Sequence, residues 1–105
     1  MIIKKKRSAG DGKVGIVGAK DLFVPTLIDF PFFENISTLS CGFDHSLIVD
    51  QNNGVFGFGF GQHGALGLEE LKTQPTPEKV NFFSDSKLNV KKIQCGVDYT
   101  IFETD

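Results

Sequence analysis

Cys41 and Cys95, with His45 and His63, are the side chains of this chain best able to hold a soft metal ion or carry a nucleophile. Thiolate and imidazole suit zinc, but structural zinc sites take their ligands from close pairs, and the chain has neither Cys-x-x-Cys nor His-x-x-x-His. Cys41, His45 and Asp44 have the residue types of a nucleophile, its base and an orienting carboxylate. That chemistry requires an exposed thiol of lowered pKa, and Asp44 fits equally well as a turn residue bonding nearby backbone amides. Gly59-Phe60-Gly61-Gln62-His63-Gly64 satisfies Gly-x-Gly-x-x-Gly, in which glycines bring a dinucleotide pyrophosphate to a helix N-terminus. Gly67, Pro75 and Pro77 leave no long helix to follow it. No catalytic, cofactor-binding or metal-binding residue is therefore expected, and no cofactor.

What sets these positions is an internal repeat. Residues 36–49 and 90–103 are two copies of one text in which Cys41 matches Cys95, Gly42 matches Gly96 and Asp44 matches Asp98, each 54 positions apart. Ile36/Val90, Leu39/Ile93, Ser46/Thr100 and Leu47/Ile101 keep chemical type, whereas His45 becomes Tyr99, a change that a metal ligand would not tolerate. A period of this length marks a solenoid or propeller, whose units bury their apolar faces by stacking on neighbours. Each Cys-Gly ends an apolar strand pattern, where a small residue packs closely, and this gives both cysteines a structural role.

The pattern within a unit is one of short strands. Ile36 to Cys41 and Ser46 to Asp50 read as antiparallel strands separated by Gly42-Phe43-Asp44. Asn53-Gly54 then predicts a type I′ hairpin turn, with positive φ at both residues. In Val55-Phe56-Gly57-Phe58-Gly59-Phe60 the period of two places the three phenylalanines on one face and the glycines on a face that must lie against something close. Residues 61–68 form a glycine-rich loop, residues 69–72 at most one helical turn, residues 78–83 an outer strand and Ser84-Asp85-Ser86-Lys87 a turn. One unit thus holds about four short strands. Upstream, Val24-Pro25-Thr26-Leu27-Ile28 resembles Gln74-Pro75-Thr76-Pro77-Glu78-Lys79-Val80, and each leads to its Cys-Gly through a Phe-Phe pair. The expected organisation is a basic, mobile segment over 1–13, a partial repeat over 14–35, a complete repeat over 36–89 and the start of another over 90–105.

Composition agrees with short strands and tight turns: eleven Phe and twelve Gly stand beside no Trp and one Tyr among 105 residues. The net charge of −2 gives no reason to expect nucleic acid or an anionic membrane as partner. Met1-Ile2-Ile3 runs into Lys4-Lys5-Lys6-Arg7 with no apolar stretch of signal-peptide length, and nothing approaches a membrane span. These features point to an intracellular protein, in cytoplasm or nucleus, with its cysteines as thiols. In that setting the sequon Asn35-Ile36-Ser37 carries no meaning, and the basic run reads as a solvated tail or as a nuclear address.

The ordered residues Leu39, Cys41-Gly42, His45-Ser46-Leu47, Gly54-Val55-Phe56, Phe58-Gly59 and Gly64-Ala65-Leu66-Gly67-Leu68 resemble the repeat of the regulator of chromosome condensation family. Phe58 stands where that repeat usually has Trp, Gly61 where Asn is common, Ala65 where Gln is frequent, and Tyr99 where the second copy should have His. The resemblance implies an all-β fold of four-stranded antiparallel blades from a β-propeller, seven-bladed in the family's complete members. Even four blades at this spacing need about twice the residues present, so the expectation is an incomplete propeller. Its unpaired blade faces, rich in Phe, would favour self-association. The function implied is non-enzymatic protein–protein interaction. Three settings are open: part of a guanine-nucleotide exchange factor for a small Ran-type GTPase, a substrate-recruiting arm of a ubiquitin ligase, or an inert truncated product.

Overall fold

Alternation and turn chemistry produce three antiparallel sheets in the computed structural model, which describes residues 2–4, 26–28, 35–61, 64–68 and 73–105. The first sheet pairs β1 (Ile2–Lys4) with β2 (Thr26–Ile28). The second is a four-stranded meander in sequence order, β3 (Ile36–Cys41), β4 (His45–Asp50), β5 (Val55–Gly59) and β6 (Gln74–Lys79). A six-residue helix, α1 (Asn81–Ser86), leads to the third sheet, β7 (Val90–Cys95) with β8 (Thr100–Thr104). The loose start expected over 1–13 falls mostly outside the described residues, as do Gln62, His63 and the helical turn expected over 69–72.

Register decides which residues face the neighbouring unit. Leu47 lies opposite Gly57, Val49 opposite Val55 and His45 opposite Gly59, so these share one face of the second sheet, while Ser46/Phe58 and Ile48/Phe56 share the other. The first face forms the main core. Leu47, Val49 and Val55 pack with Leu66, Val80 and Phe83, and with Val90 and Ile93 of β7, while Phe102 of β8 packs on the cluster. The core therefore lies between two consecutive units, as a stacked repeat requires. Gly57 belongs to this face because a Cβ there would sit 3.2 Å from both Leu47 Cδ1 and Leu66 Cδ2. Gly59 has φ +107°, and a Cβ would collide with the Asp44 carbonyl. The close approach expected on the glycine face is thus present. Phe56 and Phe58 on the opposite face are also buried, Phe58 completely (0% exposed).

The structure corrects three local expectations. Gly54 does not take positive φ; Asn53 alone does so in this loop, at 63°. Residues 51–54 form a longer connection, in which the Asn53 amide donates to the Asp50 carbonyl at 3.2 Å. The Asp50 carboxylate accepts the amides of Asn52 at 2.9 Å and Gly54 at 2.7 Å. Asp50 thereby supplies the acceptor that a two-residue turn would have taken from the opposite strand. The outer strand covers 74–79 rather than 78–83, because an edge strand tolerates Pro75 and Pro77, whose missing amides would otherwise be needed by a neighbour. Phe82, Phe83, Ser84, Asp85 and Ser86 consequently lie in α1, and the expected turn at 84–87 is the end of that helix, closed by Lys87 at φ 59°. No side chain caps its N-terminus. Such a short uncapped helix gains its stability from packing, here the buried Phe83 ring 4.6 Å from the Phe102 ring.

Candidate protein-binding rim

The β3–β4 and β7–β8 hairpins close in the same way. The Gly42 amide donates to the His45 carbonyl at 2.8 Å, and the Gly96 amide to the Tyr99 carbonyl at 2.8 Å. Each closure leaves the residue after glycine at the tip, where no strand among the described residues covers it. Phe43 is 68% exposed and Val97, the matching residue of the next copy, 65% exposed, with Tyr99 beside it at 55%. Scattered exposed apolar residues are ordinary. Here the two tips are joined, since the Phe43 amide donates to the Gly96 carbonyl at 3.3 Å. Acidic side chains flank the apolar row, half-buried Asp44 next to Phe43 and exposed Asp98 next to Val97. The Asp44 carbonyl also receives the Phe60 amide at 2.9 Å, which fixes the first tip to the end of β5.

Beneath the rim the units are joined by polar groups. Buried His45 (1% exposed) places Nε2 2.9 Å from Thr100 Oγ1, and that hydroxyl donates to the Ala65 carbonyl at 2.6 Å. A hydroxyl has one proton. With it directed to Ala65, Thr100 accepts from His45, which calls for a hydrogen on Nε2 of the imidazole. At the other end of the sheets, Asn53 acts as a clasp: Nδ2 donates to the Leu88 carbonyl and Oδ1 accepts the Val90 amide, both at 2.8 Å. Ser40 completes the joint. Its hydroxyl accepts the Cys95 amide at 3.0 Å, and its carbonyl accepts the Cys95 thiol at 3.4 Å.

These contacts place the residues considered for catalysis or metal binding. Cys41 lies opposite Ser46 and accepts its hydroxyl at 3.4 Å, so it shares the Ser46 face, whereas His45 is directed to the other face by strand alternation. A Cys41–His45 nucleophile pair is thereby separated by the sheet. Cys41 is exposed; Cys95 is half-buried, and burial raises its thiol pKa above the ordinary value. Among the described residues no group of three or more His, Cys, Asp or Glu is arranged to hold a metal ion. The end of the Gly-x-Gly-x-x-Gly stretch is a turn, the Gly67 amide donating to the Gly64 carbonyl at 3.2 Å, with Leu66 in the core. Sequence reasoning missed Asn53 as an inter-unit clasp and Ser40 as an acceptor. Phe43 and Val97 carried one available signal, two apolar residues at the same repeat position immediately after a glycine shared by both copies.

Comparison with known proteins gives this geometry its context. Two family models described as the regulator of chromosome condensation (RCC1) repeat match residues 52–102 and 36–65. The human RCC1 domain-containing protein 1 is 32% identical over 94 residues, covering 90% of this chain and 25% of that protein. The Ras guanine nucleotide exchange factor C of Dictyostelium discoideum is 51% identical over 53 residues, covering 49% of this chain and 4% of that protein. Among solved structures, Prp20p from Saccharomyces cerevisiae, described with its binding properties to Gsp1p and histones, superposes with a TM-score of 0.73 at 24% identity over 92% of this chain and 25% of that one. The chain thus spans a quarter or less of these relatives. No helix among the described residues is long and apolar enough to cross a membrane.

Proposed function

Because the chain belongs to the regulator of chromosome condensation repeat family and folds as propeller blades, we propose that it is a non-enzymatic module that binds a protein partner through the rim formed by the Gly42-Phe43-Asp44 and Gly96-Val97-Asp98-Tyr99 tips. The observation that carries this reading is the repetition of an exposed apolar residue at one register position in two joined hairpins, with an acidic residue beside each. Such a row favours a partner surface that offers an apolar anchor with basic residues around it. The chain is one part of an incomplete propeller, divided as a partial repeat over 14–35, a complete one over 36–89 and the start of another over 90–105. Its setting is intracellular.

A small GTPase of the Ran type is the partner class that the relatives favour, since Prp20p is described with its binding to Gsp1p and histones. Affinity capture from cell extract followed by mass spectrometry tests the reading with three baits: the wild type, Phe43→Ser/Val97→Ser, and Phe82→Ser, which removes an exposed aromatic from α1 instead. The reading requires proteins retained by wild type and Phe82→Ser but lost from the double variant. Equal recovery by all three baits would remove the rim from consideration. Nucleotide release from a captured GTPase then distinguishes an exchange factor from a recruiting arm.

A further inference from the structure

We propose that Thr76, on the outer edge strand β6, is a phosphate acceptor for a proline-directed serine/threonine kinase. Thr76-Pro77 is the one Ser/Thr-Pro dipeptide of the chain, and Lys79 follows three positions after the acceptor. Proline after the acceptor suits a kinase pocket that provides no acceptor for a backbone amide, and a cation three residues on suits an anionic site beside it. Structure adds two reasons. β6 is the last strand of its sheet, so its outer side has no strand neighbour among the described residues. Its ladder to β5 is broken between Gly57↔Glu78 and Gly59↔Gln74, which brackets Thr76. With Pro75 and Pro77 unable to donate, the segment is already extended, the conformation in which kinases read peptides, and lifting it breaks few hydrogen bonds.

Pro75, Glu78 and Lys79 are exposed and Thr76 is half-buried, while Pro77 is buried and must leave its packing as the strand frays. In the transfer, Thr76 Oγ1 attacks the γ-phosphorus of ATP and a new O–P bond forms. The bond from that phosphorus to the β,γ-bridging oxygen breaks, ADP departs, and the hydroxyl proton passes to the kinase's carboxylate base. The product carries about −1.5 to −2 charges two residues from the Glu78 carboxylate.

The test incubates the folded full chain with ATP and a cyclin-dependent kinase, alongside a peptide of residues 70–83, and locates phosphate by intact mass and fragmentation. Expected are a single phosphate on Thr76, none on Thr76→Val, and a rate lowered roughly tenfold or more by Pro77→Ala, the discrimination a hydrophobic pocket gives. Thermal melts of both variants verify that they remain folded. The proposal is overturned if the peptide is not phosphorylated, if phosphate appears elsewhere, or if the folded chain stays unmodified while the peptide reacts to completion.

Discussion

Asn53→Gly isolates the clasp between the two units. Asn53 already occupies positive φ, which glycine adopts freely, and the relief of that strain roughly offsets the greater freedom that glycine has when unfolded. What remains is the loss of the bonds to the Leu88 carbonyl and the Val90 amide. Two hydrogen bonds at about 1 kcal/mol each, with a further contribution because the Val90 amide enters a buried residue, predict a destabilisation of about 2–4 kcal/mol. At a urea m-value near 2 kcal/mol/M this lowers the midpoint by roughly 1–2 M. Asn52→Ala serves as control, since its exposed side chain has no partner among the described residues, and should change stability by less than about 0.5 kcal/mol. The assay is urea unfolding followed by far-UV circular dichroism. Equal midpoints for Asn53→Gly and Asn52→Ala would refute the clasp.

Four other outcomes follow from particular contacts. Gly59→Ala should destabilise by about 3 kcal/mol or more, from positive φ together with collision against the Asp44 carbonyl, and Gly67→Ala by only about 1 kcal/mol, from its φ of +69° alone, since its Cβ would meet Val80 at an ordinary 3.4 Å; equal thermal melts would contradict this. Under a maleimide at neutral pH, exposed Cys41 should be labelled well before Cys95, whose thiolate is disfavoured by burial, and mass mapping of early products reads the order. Because the folded-state pKa of Cys95 lies above the ordinary 9.0, its contribution to stability is complete below pH 9 and is lost as pH rises beyond it. Asp105 behaves oppositely: the Asn89 side chain lowers its pKa, so its contribution is present at neutral pH and lost as pH falls below the ordinary carboxylate range. Urea midpoints of wild type and Cys95→Ser across pH 8–10, and of wild type and Asp105→Asn across pH 3–6, check both signs.

The strands were legible where one local signal sufficed. Alternation over Val55 to Gly59 and the apolar run over Leu47 to Val49 gave β4 and β5, and the 54-residue match carried the same reading to β7 and β8. Errors arose where tertiary contact outweighed local preference. Asn81-Phe82-Phe83-Ser84 has weak helix propensity, yet it is helical because Phe83 packs on Phe102. Pro75 and Pro77 read as breakers, although an edge strand accommodates them. The Asn53-Gly54 signal located the hairpin but not its form, because the Asp50 carboxylate reorganised the loop. The inter-unit bonds from His45, Asn53 and Ser40 had no sequence signature beyond residue type, since each partner lies at least 35 positions away.

Stacking of the two units, which brings their hairpin tips into one rim, is tested most directly by amide hydrogen exchange at Phe43 and Val97. These residues occupy the same repeat position in the same kind of hairpin and are exposed to nearly the same degree. The Phe43 amide donates to the Gly96 carbonyl of the following unit, whereas the Val97 amide has no partner among the described residues. Residue-resolved exchange by NMR should therefore find the Phe43 amide protected and the Val97 amide exchanging close to the rate of an open loop. Equally fast exchange at both positions would show that the tips are not joined and would contradict the rim.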